Sequence, residues 1–269
     1  RVLDFTRIYA GPYCTMLLGD HGADVVKVEM PGGDPVRRQG PPFHHGMGMT
    51  FLAANRNKRS IELDVKKPED LHRLQRLAER ADVVVENFRP DVMPRLGLGY
   101  DALSRANPGL VYASLSGMGS DGPDAAKGAF DLTIQATGGF MSITGERGGK
   151  PIKVGTSIFD LVCGLNAYSA IVMSLYRRQQ CGQGQRVETS LLESEVAFLV
   201  DAALEYLVSG HVRERWGSEH SQIVPYKAFD TQDGVIVIGA GYDSVFEPFL
   251  QVIGRMDLLA DPRFATLAA

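Results

Sequence analysis

The chain opens Arg1-Val-Leu-Asp-Phe-Thr-Arg-Ile-Tyr-Ala-Gly-Pro-Tyr-Cys-Thr-Met-Leu-Leu-Gly-Asp-His-Gly-Ala-Asp-Val-Val-Lys-Val-Glu29, and this stretch decides the fold. Val2 to Phe5 reads as a strand, an Ala-Gly-Pro turn leads into a helix through Cys14 to His21, and Ala23 to Glu29 reads as the next strand. A strand, a helix and a second strand in so short a span predict a parallel pair joined by a right-handed crossover. Further along, Ser60 to Asp64, Ala81 to Glu86 and Leu110 to Leu115 read as strands. A short helix is expected near Phe51 and another from Pro68 to Arg80, with Leu71, Leu74, Leu77 and Ala78 on one face. The fold class is therefore α/β, a Rossmann-like, doubly wound parallel sheet.

Past this layer, an amphipathic helix is expected from about Glu188 to Leu207. The large domain is placed at 1–208 and a linker loop containing Trp216 at 209–224. The start of a smaller α+β domain follows at 225–269, with its remainder absent. Ala228 to Asp230 and Val235 to Ile238, joined by Thr231-Gln-Asp-Gly234, predict a β-hairpin, and Phe246 to Ile253 a helix.

Of 269 residues, 44% are hydrophobic and 22% charged, the balance of an ordinary globular protein rather than a disordered one. A net charge of −4 argues against non-specific nucleic-acid binding. No apolar run is expected to reach the length of a membrane span, and both ends read as cut rather than natural. Cys14, Cys163 and Cys181 lie far apart and read as reduced, mostly buried thiols. Neither they nor His44, His45, His211 and His220 are spaced as metal ligands. The expected compartment is the cytoplasm, or the mitochondrion if a targeting peptide has been removed.

Ligands on such sheets lie in the loops after the strands. The first loop lacks the three-glycine dinucleotide fingerprint, and Pro12 and Tyr13 would block a pyrophosphate, which argues against a nicotinamide cofactor. Basic residues gather at Arg37-Arg38 and at Arg56 to Lys67, while Asn87-Phe-Arg-Pro90 offers an amide, an aromatic face and a guanidinium in one loop. Asp160, in Lys153-Val-Gly-Thr-Ser-Ile-Phe-Asp160-Leu-Val-Cys-Gly164, is placed where a β-branched strand runs into a helix starting near Leu161. Two readings stand for it: an N-cap, or a carboxylate nucleophile held rigidly away from water.

Several segments together resemble the family III CoA-transferases, the group that includes formyl-CoA and crotonobetainyl-CoA transferases. They are Leu3 to Pro12, Gly22 to Glu29, Asn55 to Asp64, Val85 to Pro90, Arg95 to Tyr100, Gly138 to Gly145 and Gly182 to Val187, in one order along the chain. Arg215 to Gly217, Ile223 to Tyr226 and Val237 to Gly241 are most similar to the succinate–hydroxymethylglutarate branch. The resemblance implies an enzyme that moves CoA from an acyl-CoA to a carboxylic, dicarboxylic by this branch, acid through a covalent aspartyl intermediate on Asp160. It implies no permanently bound cofactor, with coenzyme A and its esters as substrates, and longer chains paired as an interlocked homodimer. By the same resemblance, Tyr9, Ala10, Leu63, Asp64, Val65, Lys66, Asn87, Phe88, Arg89, Arg95, Gly128, Ala129, Phe130 and Asp131 line the CoA site. Met30 stands where formyl-CoA transferase has a phosphate-binding arginine, so by the resemblance that contact is either absent or supplied by Arg37. The related α-methylacyl-CoA racemases need a histidine base where this chain has Phe130, which favours the transferase. A CoA-binding protein without turnover is the remaining alternative.

Overall fold

The computed structural model describes residues 1–266. In chain order the first elements are β1 (Val2–Asp4), α1 (Ala10–Asp20), β2 (Val25–Glu29), the two-residue strands β3 (Phe43–His44) and β4 (Met47–Gly48), α2 (Met49–Ala54) and β5 (Lys58–Glu62). They are followed by α3 (Pro68–Glu79), β6 (Val83–Glu86), α4 (Val92–Arg95), α5 (Tyr100–Ala106), β7 (Val111–Ser116), α6 (Asp131–Thr137) and α7 (Phe140–Ile143). The long α8 (Ile158–Cys181), β8 (Gln185–Ser190), α9 (Leu191–Phe198) and α10 (Val200–Ser209) complete this layer. The last elements are β9 (Tyr226–Asp230), β10 (Val235–Gly239) and α11 (Asp243–Val252).

Six strands form one parallel sheet in the order β5-β2-β1-β6-β7-β8, with Val2 of β1 paired to Val25 on one side and Val83 on the other. The central strands β1, β6 and β7 are buried on both faces because helices cover both. Val83, Val85, Val111 and Ala113 point into a core shared with Cys14 and Leu18 of α1 and with Phe159, Cys163, Ala167 and Ile171 of α8. Val84, Leu110 and Tyr112, one residue out of phase, point into the opposite core with Leu74 and Ala78 of α3, Met93 of α4 and Leu103 of α5. The hairpin β9–β10 is antiparallel and separate from this sheet.

Several expectations need correcting. Residues 153–157 form no strand, and α8 starts at Ile158, so Asp160 is its third residue rather than the residue before it. The segment read as one helix from Glu188 opens instead with the edge strand β8, then breaks into α9 and α10. By length and composition α8 reaches membrane-span dimensions, 24 residues with a mean hydropathy of 1.6 over its most apolar window. In this fold it lies along the sheet, packed on α1, β7, β8 and α9. Of the three thiols, Cys14 and Cys163 are buried and Cys181 is exposed.

Two close approaches fix the α1–α8 layer. A Cβ on Gly11 would sit 2.4 Å from Thr6 Cβ, and one on Gly164 would sit 2.5 Å from the carbonyl oxygen of Ala10. Only glycine lets α1 press against β1's exit loop and α8 against the start of α1.

Candidate active site

The strand order reverses between β1 and β6, and the loops leaving these two strands meet at the sheet's carboxyl edge. Arg7, just after β1, donates its N–H to Asn87 Oδ1 at 2.9 Å, and Asn87 Nδ2 donates to the Arg7 carbonyl at 2.8 Å. Arg7 lies over the Phe88 ring at 4.7 Å. The cleft they border, about 180 Å³, is walled by Tyr9, Ala10, Asn87, Phe88, Arg89, Gly128, Ala129, Phe130 and Asp160. Nine of the residues named from the sequence are therefore brought together here. Ile8, Ser116, Gly117, Lys127 and Leu191 also line it. Of these, Ile8 and Ser116-Gly117 carried a sequence signal, by lying in loops that follow strands.

Asp160 does not cap its helix. That role falls to Asp131, buried at the start of α6, whose Oδ1 accepts the N–H of Phe159 at 2.7 Å and of Asp160 at 3.3 Å. Its Oδ2 accepts Gln135 Nε2 at 2.5 Å, and Gln135 Oε1 in turn accepts Val154 N–H at 2.9 Å. A carboxylate at this helix start is stabilised by the free N–H groups and the dipole. With the cap supplied from elsewhere, the Asp160 carboxylate accepts no hydrogen bond from the described residues and lines the cleft half-buried. Burial, then the nearby Asp131 charge, push its pKa from 3.8 up to about 7. Burial and the same Asp160 charge raise the Tyr9 phenol. Behind Asp160, Phe159 is fully buried and packs edge-on against Phe140 at 5.0 Å. This holds the first turn of α8 rigid.

Asp131 thus stands behind the cleft as a support, although the sequence reading put it on the CoA surface. Arg37 is also displaced from its expected role. Its Nε and Nη2 bond Glu29 at 2.7 and 2.6 Å and its guanidinium stacks 3.8 Å above Phe51, so the group is committed to β2. Leu63 is buried in the second core. Asp64 closes a turn by accepting Lys66 N–H at 3.0 Å, and Lys66 is exposed. Arg95 pairs with Asp91 at 2.9 Å on the surface. Val65 lines a second cavity of about 320 Å³ with Met30, Phe88, Val92 and Leu96. Phe88 lines both this cavity and the Asp160 cleft, and Arg7 lines this cavity. No cluster of His, Cys, Asp or Glu suited to a metal occurs among the described residues.

The family model for CoA-transferase family III matches residues 1–269. The chain belongs to that family. It is 41% identical over 267 residues to the succinyl-CoA:glutarate CoA-transferase of Mus musculus, covering 99% of this chain and 61% of that protein. It is 40% identical over 273 residues to the succinate–glutarate CoA-transferase of Agrobacterium fabrum, covering 99% of this chain and 68% of that one. The fold matches the crystal structure of a CAIB/BAIF family protein from Brucella suis with a TM-score of 0.88 at 39% identity, over 99% of this chain and 72% of that one. The chain thus spans about three fifths of the mouse relative's length.

Proposed function

We propose that this chain carries the acyl-CoA site and the nucleophile of a CoA-transferase that passes CoA from an acyl-CoA, such as succinyl-CoA, to a dicarboxylic acid. The observation that carries the reading is the Asp160 carboxylate: in the cleft, half-buried and free of hydrogen bonds from the described residues, while Asp131 performs the helix cap.

In this reading an Asp160 oxygen attacks the thioester carbonyl, the carbon–sulfur bond breaks, and an aspartyl–acyl anhydride forms with CoA thiolate. The thiolate attacks the Asp160 carbonyl, giving an aspartyl-CoA thioester and the donor's carboxylate. The acceptor carboxylate then attacks that thioester, and the returning thiolate cleaves the second anhydride at the acceptor's carbonyl. The new acyl-CoA leaves, and Asp160 is again a carboxylate. No water or net proton is consumed, so the thioester's free energy is conserved. The half-buried position of Asp160 suits this, because water reaching either anhydride would hydrolyse it.

The pantetheine arm would run past Phe88 toward the second cavity, with Arg7 and Arg89 near the phosphates and the base against Val65 and Val92. A racemase would need a proton-carrying group where Phe130 lines the cleft, and phenylalanine has none. The interlocked homodimer is part of the proposal. Met173 on α8 and Leu207 and Val208 on α10, each more than seven-tenths exposed, are apolar surface of the kind a partner covers. Replacing Asp160 with Ala and measuring transfer of labelled CoA from succinyl-CoA to glutarate tests the reading. Loss of at least about 10³-fold is expected, and transfer at the parent rate rejects it.

A further inference from the structure

Ile8 holds φ at +72°, a left-handed conformation that a β-branched residue adopts only when its surroundings impose it. The residues on both sides are pinned. Before it, the carbonyl of Thr6 accepts Lys27 Nζ at 2.7 Å, and both peptide groups of Arg7 are bonded by the Asn87 side chain at 2.9 and 2.8 Å. After it, Tyr13 N–H bonds the Tyr9 carbonyl at 2.8 Å to begin α1, and α1 is locked to α8 at Gly164. Ile8 is the single joint between two fixed bodies, and the next residues, Tyr9 and Ala10, form the cleft wall shared with Asp160.

We propose that Asn87 is a positioning residue, clamping Arg7 so that Ile8 stays in its strained conformation and the Tyr9–Ala10 wall faces Asp160. This rests on the reading of that cleft as the reaction site, and it gives Asn87 a task distinct from contacting CoA. Each end of its amide is already engaged with Arg7, across the point where the sheet order reverses. Without the clamp, Ile8 relaxes toward negative φ and carries the cleft wall with it. A glycine at position 8 accepts the left-handed conformation without strain and makes the clamp dispensable.

The test is a double-mutant cycle of Asn87→Ala and Ile8→Gly in the protein, read both by kcat and KM for succinyl-CoA and by thermal unfolding. Asn87→Ala is expected to lower kcat by about 10- to 100-fold with a smaller change in KM, as a misplaced wall would. Adding Ile8→Gly is expected to restore most of that kcat, and Asn87→Asp, which keeps the acceptor for Arg7 N–H, to fall between. A raised KM at unchanged kcat, or no recovery on adding Ile8→Gly, overturns the proposal. Should Asn87→Ala not fold, the same coupling is read from Asn87→Asp with and without Ile8→Gly, and strictly additive effects there overturn it. The unfolding arm separates the two claims. Coupling between positions 8 and 87 is measured whether or not Asp160 is the nucleophile, whereas Asp160→Ala tests the reaction alone.

Discussion

Replacing Asp160 with Asn should stabilise the protein at neutral and alkaline pH while abolishing its chemistry. The fold raises the carboxyl's pKa from 3.8 to about 7, chiefly by burial and then by the Asp131 charge. An unfolded chain ionises this group near its ordinary value, so between about pH 4 and 7 the native state holds a proton that the unfolded state has lost. Stability therefore falls as pH rises through this window, and above about 7 the full penalty applies. At about 1.4 kcal/mol per pH decade the rise amounts to about 4 kcal/mol. Contact with solvent in the cleft screens part of it, leaving ~2 kcal/mol as the expected gain. For a chain of this size that corresponds to about 4–8 °C in Tm at pH 8. Thermal unfolding of parent and variant, followed by circular dichroism from pH 4 to 9, reads it directly. The curves should coincide near pH 4 and separate as pH rises. A variant no more stable than the parent at pH 8 would mean that Asp160 is well solvated or paired rather than a poised nucleophile.

Other outcomes follow from the same geometry. Because the nucleophile must be ionised, kcat/KM for the acyl-CoA should climb about tenfold per pH unit below about 7 and level off above it, in a pH–rate profile. Gly164→Ala would set a Cβ 2.5 Å from the Ala10 carbonyl, forcing α8 off α1. It should cost about 1–3 kcal/mol in denaturant unfolding and lower kcat by about 10-fold. Glu29 is buried, which opposes its ionisation, but bonds from Arg37, Ser60 and the Asp34 N–H outweigh burial and bring its pKa down to about 2. Its stabilisation, about 3 kcal/mol, is complete above about pH 4.5 and disappears as pH falls toward 2. Glu29→Gln should therefore lower stability at pH 7 and lose that effect in acid titrations.

The parallel sheet was legible because its central strands declare themselves. Val83 to Glu86 opens on three consecutive valines with no alternation, the mark of a strand covered on both faces, and Val25, Val26 and Val28 give the neighbouring strand the same β-branched character around Lys27. The edge strand β8, Gln-Arg-Val-Glu-Thr-Ser, carries polar side chains on an open edge and ran unmarked into the helical pattern from Leu191. The segment before Asp160 misled for another reason. Val154 and Ile158 suit a strand, yet the partner that fixes Val154 is the side chain of Gln135, nineteen residues earlier, and the cap on Phe159 in α8 comes from Asp131, twenty-eight residues earlier. Local pattern cannot express either contact. Arg37 reads as a phosphate ligand only until Glu29 is seen beside it, eight residues back but on the neighbouring strand end. The Asn87 loop stood out in the sequence by its residue types and its place after a strand, while its bond to Arg7 spans eighty residues and belongs to the tertiary fold alone.

The proposed mechanism turns on an Asp160 oxygen becoming covalently bound to the substrate. Incubating the protein with succinyl-CoA, quenching with hydroxylamine and mapping peptides by mass spectrometry tests it most directly. A hydroxamate on Asp160, absent when acyl-CoA is omitted, is the expected result. An unmodified Asp160 under turnover, or a hydroxamate on another carboxylate, contradicts it.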